Sequence, residues 1–177
     1  MKHFLILILV TTCLFSCSEK KKDPPKNKPK NADWSKVHSI SFNQEINERE
    51  AIQIALFLDH HKDYEMTETE TGLRYMIYKD SIGDTKPKHG QQVSISLKIN
   101  LLDGTECYST TKGDFEEFTI DKSDEESGIN EAVKLMSIGD QAKLILPSHL
   151  AHGLLGDLDK IPPQSILLID IQLNTIK

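Results

Sequence analysis

Aromatic side chains are scarce in this chain, with one Trp, four Tyr and six Phe among 177 residues. Few rings are therefore available to wall a binding pocket. Cysteine is rarer still, at three. Cys13 and Cys17 lie near the N-terminus, so Cys107 is alone in the rest of the chain. One cysteine cannot form an internal disulfide, and the fold must hold without one. No apolar run reaches the ~20 residues that a membrane-spanning helix needs. There is no internal repeat, and no nucleophile-elbow motif frames the serines. A basic surface is missing too. The net charge is −6, and residues 1–30 carry seven Lys against Glu19 and Asp23, a local +5 that leaves −11 for the remainder. An acidic domain behind a short basic stretch argues against nucleic-acid binding, which needs a basic face.

What is present begins with a secretory pattern. Met1-Lys2-His3 is a short positive start, Phe4 to Val10 is continuously apolar, and Leu14-Phe15-Ser16-Cys17 follows. Length and flanks predict a signal peptide over residues 1–16. Residues 17–44 include a stretch rich in Lys and Pro, with Pro24, Pro25 and Pro29, and read as a flexible tether.

Beyond the tether the periodicity is helical. Asn47 and Glu50 form a capping-box pattern, and Ala51, Ile52, Ala55, Phe57 and Leu58 give an amphipathic stripe ending near His60. A helical segment is expected over residues 45–66. From Thr71 the period becomes two. Leu73, Tyr75 and Ile77 alternate with polar or larger neighbours, and Val93, Ile95, Leu97 and Ile99 alternate with Ser94, Ser96 and Lys98. Asp103-Gly104 predicts a hairpin turn, with Thr105–Ser109 returning. Phe115–Ile120 is another short strand. Ile129, Ala132, Val133 and Met136 then mark one face of a short helix, with Ser127 as cap and Gly139 as stop. Ala142–Pro147 and Ile166–Leu173 complete the pattern. The expectation is an α+β domain over residues 71–177: five or six antiparallel strands wrapped over one short helix, preceded by an N-terminal helix.

Two resemblances refine this reading. Leu14-Phe15-Ser16-Cys17 resembles the bacterial lipobox, which implies cleavage before Cys17 and its lipidation. Several acyl chains make a durable anchor, at roughly 0.8 kcal/mol for each buried CH₂. The resemblance implies an exported protein anchored to the lipid bilayer of the bacterial envelope. Further on, five segments stand in order: Lys88-His89-Gly90-Gln91, Leu101-Leu102-Asp103-Gly104-Thr105, Gly128 to Lys143, Pro147-Ser148-His149-Leu150-Ala151-His152-Gly153, and Ile161-Pro162-Pro163. Together they resemble the FKBP-type peptidyl-prolyl cis-trans isomerases over about Gly72 to Leu173. The lipobox, the preceding helix and the Pro147–Asp157 loop look like FKBP lipoproteins of Bacteroidetes-type bacteria, some linked to gliding motility.

The resemblance implies a reaction that needs no cofactor, metal or nucleophile. The X–Pro bond turns through a twisted amide over a barrier of ~18–20 kcal/mol. Catalysis requires a dry apolar pocket for the proline ring and donors that hold the twisted form. By family register, the pocket positions are Leu97, Cys107, Tyr108, Phe118, Glu126, Ile129, His152, Ile161 and Ile169. The family usually has aromatics where this chain has Leu97, Cys107, Ile129, His152 and Ile169, and an Asp where it has Tyr108. The implied pocket is aliphatic. At Glu126 the family uses the backbone N–H, which any non-proline residue supplies. His152 keeps a ring donor where a Tyr hydroxyl is usual. The expected partners are proline-containing segments of exported proteins, with a homodimer through the N-terminal helix as a further family-level expectation. The rival reading is a binding or chaperone module with little catalysis. His149, His152, Asp157 and Asp159 share a loop, but their spacing fits no zinc motif, and ordinary solvation accounts for them.

Overall fold

The computed structural model describes residues 36–177 apart from positions 82 and 112. The expected signal peptide, Cys17 and the tether up to residue 35 lie outside the described residues. Helix α1 spans Lys36–His60. It therefore starts inside the segment expected to be a tether, and Asn47 sits within it rather than at its cap. The last proline of the tether is Pro29, and residues 36–46 contain neither Pro nor Gly to interrupt a helix. The buried face also differs from the expected stripe. Ile46, Glu50 and Ile54 are 5%, 1% and 0% exposed, with Phe57 and Leu58 half-buried beyond them, whereas Ala51, Ile52 and Ala55 face out. Spacings of four keep residues 46, 50 and 54 on one side.

The strands that follow are β1 (Thr67–Glu68), β2 (Arg74–Lys79), β3 (Gln92–Leu101), β4 (Glu106–Ser109), β5 (Glu116–Thr119), β6 (Gln141–Leu146) and β7 (Leu167–Ile176). Helix α2 covers Ser127–Val133, and a 3₁₀ turn covers Ser148–Leu150. The strands form one antiparallel sheet in the order β1-β2-β6-β7-β3-β4, with β5 also paired to β3. The α+β architecture is the expected one; the added strand is the two-residue β1, too short to show a period. Gly104 makes the β3–β4 turn at φ +90°, where the Asp103 carboxylate accepts the Thr105 N–H at 2.9 Å. Ser127 does not cap α2; Glu126 holds that position without a side-chain bond.

The sheet has two apolar faces because β6 and β7 are covered on both sides. Leu144, Leu146, Leu167, Ile169, Ile171 and Leu173 join Val93, Ile95, Ile129, Val133 and Met136 in the main core with α2. Ile145 points the other way and packs with Ile54 and Ile166, joined by Phe57 and Leu168. Thus α2 fills the inside of the sheet while α1 covers part of its outside. Gly128 sets how near α2 lies: a Cβ there would come 2.5 Å from Leu146 Cδ2 and 3.0 Å from the Leu150 carbonyl oxygen. Among the described residues no helix is long and apolar enough to cross a membrane.

Candidate active site

The residues expected around a proline ring arrive from six places in the chain. Leu97 lies on β3, Cys107 and Tyr108 on β4, Phe118 on β5, Ile129 on the first turn of α2, Ile161 ahead of β7, and Ile169 on β7. Strand alternation aims Leu97 and Ile169 inward on adjacent strands, where Leu97 pairs with Ile171 and Ile169 with Ile99. Leu97, Cys107, Phe118, Ile129, Ile161 and Ile169 join one cluster, with Tyr108 packed against it. Their exposures run from 0% to 6%, values of a closed core. Apart from Phe118, Tyr108 and the Cys107 thiol, these side chains are aliphatic.

Two polar residues stand beside this cluster. Glu126 precedes α2, so its backbone N–H is not consumed by the helix's own hydrogen bonds. Its carboxylate meets His152 Nε2 at 2.8 Å, with the two side chains 17% and 26% exposed. His152 sits on the loop that follows the 3₁₀ turn, and this contact ties that loop to the head of α2. His149, by contrast, turns to the Thr71 carbonyl, with Nε2 3.0 Å from it. The two histidines therefore serve different contacts. Among the described residues no group of three or more His, Cys, Asp or Glu is placed to hold a metal ion.

Tyr108 is fixed by the opposite end of the same loop. Its hydroxyl donates to the Asp157 carboxylate, and Asp159 lies 3.4 Å away. Lys160 Nζ stands 4.6 Å from the ring centroid, a cation–π contact. The other Asp157 oxygen accepts the N–H of Asp159 at 2.9 Å and of Ile161 at 2.7 Å. One carboxylate thus joins β4 to the turn that delivers Ile161. Asp157 holds the Tyr108 proton, which pushes that hydroxyl up to about 12. The Tyr108 bond, helped by the two amides, holds Asp157 down at about 2. Reading the loop for solvation alone misses this role, since Tyr108 and Asp157 are far apart in sequence. Cys107 is a free, buried thiol whose pKa is raised by burial first and by Asp157 second, so it stays protonated and behaves as a small hydrophobe.

Glu125 was not singled out by sequence, yet it is the most perturbed carboxyl here. Burial, a hydrogen bond to Glu126 and the charges of Glu126 and Glu116 push it up to about 8. The folded state holds this proton more tightly than the unfolded chain, where a Glu ionises near 4.5. Its contribution to stability is complete below that value and is lost as pH rises through about 8. Glu125→Gln keeps the neutral shape and removes the repulsion. It is expected to raise the Tm at pH 8.5 and leave it nearly unchanged at pH 4.5. Thermal unfolding at both pH values checks this, and equal shifts at the two would refute it.

Comparison with known proteins gives the family. Residues 83–174 match the model of a family described as FKBP-type peptidyl-prolyl cis-trans isomerase. Peptidyl-prolyl cis-trans isomerase Fkbp12 of Drosophila melanogaster is 38% identical over 96 residues, 54% of this chain and 89% of that protein. The FKBP-type isomerase FkpA of Escherichia coli K12 is 34% identical over 110 residues, 62% of this chain and 39% of its own length. The crystal structure of FkpA from Escherichia coli superposes with a TM-score of 0.63 at 28% identity, covering 78% of this chain and 64% of that one. The chain thus spans only part of FkpA and most of Fkbp12. On the matched segment, which carries β3 to β6, helix α2 and most of β7, the chain belongs to the FKBP-type peptidyl-prolyl cis-trans isomerase family.

Proposed function

We propose that this chain is a peptidyl-prolyl isomerase and foldase for exported or envelope proteins, held at a bacterial envelope membrane by a lipid on Cys17. The observation that carries the isomerase reading is the convergence of Leu97, Cys107, Phe118, Ile129, Ile161 and Ile169 in one apolar cluster beside the Glu126–His152 pair. A proline ring admitted into this closed cluster leaves water, and a water-free setting strengthens every polar contact to the amide. The twisted amide has lost resonance, so its nitrogen keeps a localised lone pair that a planar amide does not offer, while its carbonyl oxygen still accepts hydrogen bonds. The Glu126 N–H and the His152 ring are the donors we assign to that state. Tyr108, held by Asp157, closes the side next to Ile161. No bond is made or broken and no proton is transferred; acceleration comes from binding the twisted form better than the planar ones.

The export and anchor reading rests on the lipobox-like Leu14-Phe15-Ser16-Cys17 and the apolar stretch before it. The proposed layout is a signal peptide at 1–16, an anchored segment from Cys17, an N-terminal helix, and the isomerase domain over 71–177. Likeness to the gliding-motility group stays a sequence-level reading.

The test is exchange spectroscopy by NMR of Xaa-Pro peptides with the full chain. Uncatalysed exchange takes tens to hundreds of seconds. Clear acceleration is expected, and no acceleration across varied Xaa residues by the folded protein would sink the enzyme reading. A second reading, binding without efficient catalysis, is favoured by a specific feature. Leu154, Leu155 and Leu158 are 48%, 70% and 88% exposed on the loop after His152, and Ile52 and Leu56 on α1 are 61% and 58% exposed. Such apolar surface suits holding unfolded segments, or pairing two copies through α1.

A further inference from the structure

The loop that carries His152 is anchored by a residue far from it in sequence. Glu50 lies in the buried stripe of α1, between Ile46 and Ile54, and is 1% exposed. Its Oε2 accepts the Ser148 N–H at 2.9 Å, and its Oε1 accepts the Ser148 hydroxyl at 2.6 Å. Ser148 opens the 3₁₀ turn Ser148–Leu150 and is itself 2% exposed. The turn then continues directly into the loop. Gly153 N–H donates back to the Ser148 carbonyl at 2.8 Å, closing the segment around His152. Leu150 meets α2 as well, because its carbonyl lies 3.4 Å from Ser127 Oγ and 3.0 Å from where a Gly128 Cβ would stand.

A carboxylate is an unusual choice for the buried face of a helix. Taking its charge out of water is costly unless hydrogen bonds replace the lost hydration. An apolar residue would pack α1 against the sheet with no such cost, as Ile46 and Ile54 do. What the carboxylate adds is direction: two short bonds converge on one residue and fix the start of the turn in register. We propose that Glu50 is a positioning residue for the active-site loop, so that α1, which lies outside the matched family segment, is a working part of the isomerase site. The bonds run Glu50 to Ser148, Ser148 to Gly153, and His152 to Glu126. Without Glu50 the turn keeps its own backbone bonds but loses its tie to α1, and His152 is no longer held against Glu126. The catalytic side of this inference rests on the proposed proline site; the positioning side does not.

The experiment compares the full chain with Glu50→Ala, Glu50→Gln and, as an exposed control on the same helix, Glu48→Ala. Two quantities are read: amide hydrogen exchange residue by residue, and Xaa-Pro exchange rates at saturating and low peptide. In Glu50→Ala, amides 148–153 are expected to exchange roughly tenfold faster, while those of β3 and β7 hold their protection. The saturated rate should fall roughly tenfold with a smaller change in KM, since positioning acts on the turnover step. Gln accepts the Ser148 N–H and donates to its hydroxyl, so Glu50→Gln should restore both quantities to within about threefold. If Glu50→Ala does not fold, Ser148→Ala removes one of the two bonds and is judged by the same criteria. Unchanged loop protection in the variant that folds would overturn the proposal, as would a loss spread evenly over the sheet. Loosened amides with an unchanged isomerase rate would overturn the catalytic role. If the wild type itself shows no isomerase activity, the proposed function fails while the loop amides still decide whether Glu50 positions His152.

Discussion

Ile129→Asp is expected to cost about 3–5 kcal/mol of folding stability, the range seen for an uncompensated buried charge. That is a large share of the ~5–15 kcal/mol that holds a typical domain together. The side chain is 0% exposed on the first turn of α2, inside the cluster that contains Leu97, Phe118, Ile161 and Ile169. None of these neighbours can donate a hydrogen bond from its side chain. The new carboxylate must stay protonated, draw in water or push α2 outward. Each option disrupts the packing that Gly128 allows between α2, Leu146 and the Leu150 carbonyl. Ile129→Val, which removes one methylene, should cost only ~0.5–1.5 kcal/mol. Denaturant unfolding of both variants decides the matter. A loss below ~1 kcal/mol for Ile129→Asp would mean that water already reaches this position, and that the cluster is an open pocket in the free protein.

Gly156→Ala is expected to be the most damaging small substitution in the loop between Leu150 and Ile161. Gly156 has φ +70°, and a Cβ there would lie 2.1 Å from the Ile161 carbonyl oxygen and 2.7 Å from the Pro162 carbonyl carbon. Both are backbone atoms, so no rotamer change relieves the contact. The left-handed conformation alone costs a non-glycine residue roughly 1–2 kcal/mol. The clash adds to it, for a total of about 3 kcal/mol or more. Gly153 is the internal control. It also has a positive φ, at +62°, but nothing lies within 4 Å of its missing Cβ. Gly153→Ala should therefore cost only the conformational part, ~1–2 kcal/mol. The damage at Gly156 should also reach the proposed proline site, because Ile161 must move and Asp157 then loses its bond to the Ile161 N–H. Thermal unfolding together with peptide exchange rates checks both consequences. Equal losses at 153 and 156 would show that the loop yields to the clash at no cost.

The parts of this molecule that were legible in sequence are those whose signal is local. Alternation in Val93–Ile99 and Leu167–Leu173 marks strands that turn every second side chain into the main core, and the structure pairs them as neighbours in register. Asp103-Gly104 makes the expected hairpin because glycine relieves the positive φ. The apolar face of Ile129, Val133 and Met136 is the face that α2 buries. Of the residues carried over by family register, Leu97, Cys107, Phe118, Ile129, Ile161 and Ile169 lie in one apolar cluster, and no local signal in the sequence brings them together.

What stayed hidden depends on contacts between distant residues. Asn47 and Glu50 carry the composition of a helix cap, yet Glu50 is drawn to Ser148, which no local rule reveals. Three successive apolar residues, Leu144, Ile145 and Leu146, show no alternation because both faces of β6 are covered, once by α2 and once by α1. Asp157 reads as a solvated loop acid until Tyr108 is brought to it from β4. Glu125 is raised partly by Glu116, which β5 holds nearby.

X–Pro segments are proposed to bind at the cluster between α2, β3, β4 and the Ile161 loop. The most direct measurement is amide NMR of the ¹⁵N-labelled full chain during titration with a short Xaa-Pro peptide. The largest shifts are expected at Glu126, Ile129, His152 and Ile161, while Leu56, Phe57 and Leu102, which line a groove of about 460 Å³ beside α1, stay in place. Shifts concentrated in the α1 groove, or no shifts at peptide concentrations in the millimolar range, would contradict it.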